Sequence, residues 1–487
     1  MKLLLAVHNF PPEFRGGVER AVEALSTQLL ANGLEVMVVT GSAEVRADDA
    51  PAEFICEEWR GVPVRRWQRA GGYHNFVDAH DPQFEAAFET LLAEFRPDVL
   101  HLHHWSQLST GLCALAKRQG IPSLATLHDH WITCARYFRL PQDVLCEKME
   151  AADPCIPCLQ QVWGVDESEL GFALAMRQAS CDQELSLLSA LTVSSQSHLD
   201  LLRRFGRYPE AIWEKFRVLP MGTSPAGPNR KTLPLKDRRD RFVVAHWGNL
   251  NALKGVEVLA KAAALAKLEH LELRFLGRTV EPGLEDRLVQ LAGDRSVSFG
   301  GAYDPENLAE LLADVDCAVF PSLAHETHSL VADEAMELGL PLIVSDRGAP
   351  AERVAGRGLI VPANDEAALA TALEKMADPG FRKTCLESKA GLVSLEDWTV
   401  QMQGIYAEVA VDRQSERAPD LTRERLAHRN QRLAEIAQYV GGQSQQRSTL
   451  EQAILGDEAA LKQLAEFAPQ IAQRIEDMNA VERKEGS

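Results

Sequence analysis

Arg241-Phe-Val-Val-Ala-His246, Gly248-Asn-Leu-Asn-Ala-Leu-Lys254-Gly255 and the run from Val256 to Lys267 form a strand, a glycine loop and a helix in succession. A short unbroken apolar run reads as a strand buried on both faces, and the longer segment after the loop reads as its covering helix. The next strand is Leu271 to Leu276, with further strand–helix units at Cys317 to Phe320 and Leu342 to Ser345. The same alternation fills the first half of the chain. Strands are expected at Lys2 to Asn9, Glu35 to Thr40, Val99 to His103, Leu124 to His128 and Ala190 to Val193. A helix from Val18 to Ala31 is stopped by Asn32-Gly33. Strands alternating with helices imply a parallel sheet covered on both faces. Between the two series lies 224–240, with Pro225, Pro228, Pro234 and a basic run, which reads as a linker. The expected architecture is α/β, with two doubly wound, Rossmann-like domains at 1–223 and 241–396 facing a cleft. Ligands bind such sheets at the carboxyl ends of the strands.

The chain has 487 residues, with 51 Lys and Arg against 70 Asp and Glu, a formal net charge of −19. At roughly 150 residues per domain, that length allows about three units. The 46% hydrophobic and 25% charged content is that of an ordinary globular protein and excludes whole-chain disorder. The acidic balance argues against nucleic acid as a partner. No apolar run approaches the ~20 residues needed to span a bilayer. Leu3 to Val7 is too short for a signal peptide and is ended by His8, Asn9 and Pro11, so a first strand is expected there. Nine cysteines, an odd count, fit a reducing, cytoplasmic setting. From Asp412 onward the strand signals stop. Leu450, Ile454, Leu461, Leu464, Ala468, Ile471, Ile475 and Met478 follow helical spacing, interrupted by Asp457 and Pro469. A helical tail at 412–487 is expected, either packed on the enzyme body or presented to a protein partner.

The chemistry concentrates at Glu326-Thr-His-Ser-Leu-Val-Ala-Asp-Glu334, which follows the strand Cys317-Ala-Val-Phe320 and the turn Pro321-Ser322. Ser329, Leu330 and Val331 are expected to open a helix whose first N–H groups and dipole suit a diphosphate. Glu326 and Glu334 then lie at most ~12 Å apart at helical rise, placed to accept hydroxyls on either side of that diphosphate. Lys254, in the glycine loop of the second series, adds a positive charge. The first series offers a matching loop, Pro11-Pro-Glu-Phe-Arg-Gly16-Gly17-Val-Glu-Arg20, whose glycines permit close backbone approach. Neither loop carries the G-x-G-x-x-G of nicotinamide enzymes or the G-K-S/T of nucleoside triphosphatases.

In order along the chain stand Phe10-Pro-Pro, Gly16-Gly17-Val-Glu19, Pro97-Asp-Val-Leu-His101, Leu127-His128-Asp129, Val193-Ser194-Ser195 and Val218-Leu-Pro-Met-Gly222. Gly248 to Gly255 and the Glu326/Glu334 pair with Glu334-Ala335-Met336 complete the series. Their order and spacing resemble family 4 of the retaining GT-B glycosyltransferases over about Met1 to Val411. The resemblance implies a hexosyl-type transferase that uses a nucleotide-sugar co-substrate and a glycan or lipid-linked acceptor in polysaccharide or glycoconjugate synthesis. It implies no cofactor and no catalytic metal. It places His128 beside the anomeric carbon, Glu326 on donor-sugar hydroxyls and Glu334 on the ribose. Lys254 and the amides near Ser329, Leu330 and Val331 would hold the diphosphate, with Gly16 and Gly17 closing over it. It also implies a closing helix at 397–411 that crosses back to the first domain. The sequence departs from the family pattern at Asn249, where Arg is frequent, and at Met221, where Asn is frequent. Lys254, with Arg278 after Gly277, is then expected to carry the diphosphate charge.

Cys134, Cys146, Cys155 and Cys158 fall in a Cys-rich insert at 130–160, and four thiolates at this spacing are a candidate structural zinc site. Reduced free thiols are the alternative, followed by disulfides or a redox cluster. His101, His103 and His104 end one expected strand, and His128 and His130 end another, where they line a sugar pocket or pack as polar core. His325 and His328 flank the donor loop and either contact sugar or face solvent. Arg65, Arg66, Arg69, Arg203 and Arg204 are expected on a solvated surface, with contact to an acidic glycan or to anionic lipid at the inner face of a membrane as the sharper reading. Two rival functions share the fold: an inactive relative kept for binding or scaffolding, and a sugar phosphorylase or epimerase.

Overall fold

Short apolar strands find their burial inside sheets, and the chain forms two separate ones. In the computed structural model the described residues are 1–411 and 462, without 48–49, 71–79, 142–143, 165–166, 223–232, 235–239, 280, 355 and 388–391. Side chains are also left aside at 152–154, 163, 167–169, 172, 175 and 305. The expected linker at 224–240 and the tail at 412–487 therefore lie almost entirely outside the described residues.

The first sheet is built from β1 (Lys2–Val7), β2 (Glu35–Gly41), β3 (Ile55–Trp59), β4 (Val62–Trp67), β5 (Val99–Leu102), β6 (Ser123–Leu127), β7 (Ala190–Val193) and β8 (Phe216–Val218). Among the described residues its order is β3-β4-β2-β1-β5-β6-β7-β8, parallel except for the β3–β4 hairpin. That hairpin turns through Arg60 and Gly61, both at positive φ, the conformation a two-residue turn needs to match strand twist. The second sheet comprises β9 (Phe242–Trp247), β10 (Leu271–Leu276), β11 (Ser296–Phe299), β12 (Cys317–Phe320), β13 (Leu342–Ser345) and β14 (Gly358–Val361). Its order is β11-β10-β9-β12-β13-β14, and its printed pairings are parallel. In each sheet the strand order reverses beside the first strand, at β1/β5 and at β9/β12. Loops on either side of such a switch point diverge and leave a crevice at the strand ends.

The helix Leu395–Val411 follows the second sheet in sequence yet packs on the first. Trp398, Met402, Ile405, Tyr406 and Val409 join Leu3, Leu5, Val7, Val22 and Leu25 in one core. Tyr406 and His101 share a 2.8 Å hydrogen bond through the ring Nδ1, and His101 Nε2 lies 2.8 Å from Thr126 Oγ1. Gly222 lies against the backbone of Ser394 and Leu395, where a Cβ would collide, so the chain leaves and re-enters the first unit at neighbouring points. Leu233, inside the expected linker, is buried in the core of the second unit and donates its N–H to Leu338 O at 2.8 Å.

Trp398 is 1% exposed, so Trp398→Ala should cost about 3–5 kcal/mol of stability. Tyr406→Phe, which removes one buried hydrogen bond, should cost about 1 kcal/mol. Urea denaturation checks both, and a Trp398→Ala loss below about 1 kcal/mol would contradict the packing described.

Candidate active site

Lys254 ends a short 3-10 turn, Ala252–Lys254, capped by the Asn251 side chain, which accepts from Lys254 N at 3.2 Å. Gly255 follows at φ 70° and lies so close to Pro321 O that any Cβ would meet that carbonyl. This close approach carries Lys254 to the end of β12. Its Nζ donates to Glu326 Oε1 at 2.7 Å, and Ser322 Oγ donates to the same oxygen at 2.7 Å. Glu326 is fixed from behind by a backbone bridge to Gly348, at φ 84°, where again there is no room for a Cβ. Burial alone raises the Glu326 pKa, but the charge and hydrogen bond of Lys254, with Ser322, outweigh it and hold the carboxyl below its ordinary value.

The helix Leu330–Glu337 begins just beyond, after Ser329 at φ 79°. Its first turn is held by Asp333, which pairs with His328 Nε2 at 2.7 Å and with Arg353 at 2.5 Å. Glu334, one turn in, accepts from Arg20 at 2.6 Å on Oε1 and from Trp247 Nε1 at 2.8 Å on Oε2. Arg20 comes from the first unit, as does the glycine loop over this helix start. A Cβ on Gly17 would sit 3.9 Å from Leu330, and one on Gly248 would sit 3.4 Å from Val331.

The strand ends of the first sheet close the other side. Thr327 Oγ1 donates to His128 O at 2.6 Å, and Ser195 Oγ donates to Thr327 O at 3.0 Å. His130 Nε2 lies 3.3 Å from His325 O. Glu352 accepts from the backbone N–H groups of Gln196, at 3.1 Å, and Ser197, and so caps the helix Gln196–Phe205 from the opposite unit. These bonds set His128 beside the Glu326 segment. His128 Nε2 is 2.9 Å from His103 Nδ1, so one of the two neutral rings donates and the other accepts. Burial, with repulsion from nearby histidines, holds both pKa values well below 6.5. His128 Nδ1 is buried with no hydrogen-bond partner among the described residues. Burial raises the neighbouring Asp129 carboxyl, but the charge and hydrogen bond of His104 hold it well below the carboxylate range.

The model described as Glycosyltransferase Family 4 matches residues 15–226, and that described as Glycosyl transferases group 1 matches 241–378. This chain belongs to the family 4, group 1 glycosyltransferases. Among its relatives, a D-inositol 3-phosphate glycosyltransferase of Acidothermus cellulolyticus is 26% identical over 461 residues, 88% of this chain and 93% of the relative. An MMP alpha-(1->4)-mannosyltransferase of Mycolicibacterium hassiacum is 31% identical over 280 residues, 56% of this chain and 61% of the relative. The sucrose-phosphate synthase of Thermosynechococcus elongatus superposes with a TM-score of 0.62 at 23% identity, covering 84% of this chain and all of that one. Anabaena HepE in complex with UDP and glucose gives 0.55 at 14% identity, over 84% of this chain and all of that one. The two-sheet architecture is thus GT-B.

Within the glycosyltransferase, Gly16, Gly17, Lys254, Glu326, Ser329, Leu330, Val331, Glu334 and His128 converge on one cleft. Asn249 and Arg278 sit on adjoining loops, joined by the Leu250–Thr279 bridge, and both are exposed. His328 is buried against Asp333 and Arg353, so it supports the helix start and does not face solvent. Arg66 and Arg69 are buried, not on a solvated surface: Arg66 donates to Phe10 O, Gly41 O and Pro11 O, and Arg69 to Leu108 O. The candidate zinc ligands are Cys134, Cys146, Cys155 and Cys158. All are free thiols, and among the described residues no group of three or more His, Cys, Asp or Glu is placed to hold a metal ion. Cys155 and Cys158 stand one turn apart in the helix Ala152–Trp163, while Cys134 and Cys146 lie in the loop before it. Burial and Glu150 push the Cys155 thiol up to about 12, and Cys134 and Cys146 lie near enough to add to the shift. Among the described residues no helix is long and apolar enough to cross a membrane. Arg20, Trp247, Thr327 and Glu352 complete the site without having been expected there. Of these, only Arg20 carried a signal, as the charged end of the glycine loop.

The histidine cluster makes stability pH-dependent. His8 and His101 are lowered to about 3, and His198 and His246 to about 4, chiefly by burial. Below pH 6.5 the unfolded chain takes up protons that the folded chain refuses, so stability falls as pH drops. The slope should reach about 1.4 kcal/mol per pH unit for each fully mismatched histidine. Urea midpoints should be level above about pH 7 and decline steadily toward pH 5. A level profile across that range would contradict the neutral cluster.

Proposed function

We propose that this glycosyltransferase moves a sugar from a nucleotide-sugar donor to a hydroxyl of a glycan or lipid-linked acceptor, with retention at the anomeric carbon. The observation that carries the reading is the Lys254–Glu326 pair at 2.7 Å, held beside His128 by the Thr327 hydrogen bond to His128 O. Lys254 and the first N–H groups of the helix at Leu330 supply positive potential where a departing diphosphate gathers charge. Oε1 of Glu326 is occupied by Lys254 and Ser322, so Oε2 faces the donor-sugar hydroxyls. Glu334 takes the ribose, Gly16 and Gly17 let the backbone of the first unit close over the phosphates, and the neutral His128 ring lies beside the reacting carbon. In this scheme the bond from the anomeric carbon to the phosphate oxygen breaks. The acceptor oxygen attacks on the same face, and its proton passes to the leaving phosphate. The UDP and glucose bound by HepE support a nucleoside diphosphate donor.

Lys254→Ala should lower transfer at least about 100-fold, the scale of removing one group that stabilises transition-state charge, while thermal unfolding stays near that of the parent. Unchanged turnover would overturn the phosphate role. Nucleoside diphosphates should raise the unfolding temperature of the parent protein, and the matching nucleotide sugar should be slowly hydrolysed. Stabilisation by none of UDP, GDP, ADP, CDP and dTDP would favour the scaffold reading.

A further inference from the structure

Arg20 stands in the first turn of the helix Gly17–Ala31, where a cation meets the positive end of the helix dipole. Its position is unfavourable for that helix, and its guanidinium leaves the first unit altogether. It donates to Glu334 Oε1 at 2.6 Å across the cleft, while Trp247 holds Oε2 at 2.8 Å from beneath. Glu334 is 6% exposed and Arg20 29%, so the pair is largely screened from water. Burial works against the charge on Arg20, but Glu334 outweighs it and holds the guanidinium above its ordinary pKa. Tyr303, whose phenol is raised by burial and by Glu334, packs at the same spot.

A carboxylate offers about four acceptor directions. Arg20 and Trp247 engage one on each Glu334 oxygen, and Tyr303 hydrogen-bonds to the same carboxylate in a direction that a ribose hydroxyl would take over. Two acceptors on a single carbon suit a vicinal diol, the arrangement of the 2′ and 3′ hydroxyls of ribose. With Trp247 alone, the carboxylate is free to turn about its terminal torsion. With Arg20 as well, both oxygens are fixed.

We propose that Arg20 is the positioning residue of a ribose subsite on Glu334, so that the ribose hydroxyls are read only when the two units are closed on each other. This rests on the reading of Glu334 as the ribose acceptor. Ribose discrimination thereby depends on a residue of the unit that faces the acceptor.

The test measures binding of UDP, GDP, ADP and their 2′-deoxy forms by calorimetry to the full-length parent and to Arg20→Ala, Arg20→Lys and Glu334→Gln. The parent should prefer its best ribonucleotide over the deoxy form by about tenfold or more, as a site built to bond a hydroxyl does. Arg20→Ala should weaken the ribonucleotide about tenfold and the deoxy form far less, bringing the ratio toward one. Arg20→Lys, which keeps the charge but loses the planar fork, should give an intermediate ratio and serves if the alanine variant does not fold. A parent-like ratio in the Arg20 variants, with the ratio lost in Glu334→Gln, overturns the role of Arg20 and leaves the ribose reading standing. A parent-like ratio in Glu334→Gln overturns the ribose reading, and the role of Arg20 with it.

Discussion

The hydrogen bond from Thr327 to the carbonyl of His128 joins two sheets that share no strand. Everything chemical in this molecule depends on that seam. A doubly wound sheet delivers side chains only to its own strand ends, so neither half can surround a substrate alone. Thr327 lies directly after Glu326, and His128 directly follows β6. One backbone-anchored bond therefore puts a carboxylate from one unit beside an imidazole from the other. Ser195, His130 and Glu352 extend the seam along the same edge. Every bond in it uses a backbone group on at least one side, so its register follows the two main chains more than side-chain rotamers.

The acidic surface and the anionic ligand proposed for the cleft are compatible because the relevant field is local. A net charge of −19 is spread over the whole chain and is screened beyond about 10 Å at moderate salt. Inside the cleft, Lys254 and the N–H groups of a helix start act at contact distance, where water is partly excluded. His103 and His128 contribute no opposing or assisting charge near neutral pH, because burial keeps them unprotonated. The site thus has a polar lining whose hydrogen bonds are directional, set beside a single compact cationic spot.

Much of this was legible in the residues, for reasons that differ by element. Apolar strands such as Phe242–Trp247 and Leu342–Ser345 announce themselves, because burial on both faces leaves no room for a polar residue pattern to confuse them. Glu326 and Glu334 were findable because strand, turn and helix follow each other locally. The β3–β4 hairpin was not read, since Ile55-Cys-Glu-Glu-Trp59 is a half-exposed edge strand with charged residues where core residues would be diagnostic. The cysteine spacing suggests a metal, yet spacing along a chain does not fix ligand geometry, and among the described residues no group of three or more ligands is placed for a metal ion. Arg20 and Glu334 are 314 positions apart, and Glu352 caps a helix some 155 positions away. No local pattern encodes such a pairing. It exists only once both sheets have formed and closed.

The return of the helix Leu395–Val411 to the first unit means that the chain passes between the halves twice, at neighbouring points marked by Gly222 and Ser394. A body tied to another at two adjacent points behaves like a door on a pair of pins. It retains rotation about the line through them and loses most sliding and twisting. The mouth of the cleft can widen while its inner corner barely moves. A single proteolytic cut in the 224–240 stretch would likewise leave two fragments still bound through a packed helix, and they would travel together until denatured.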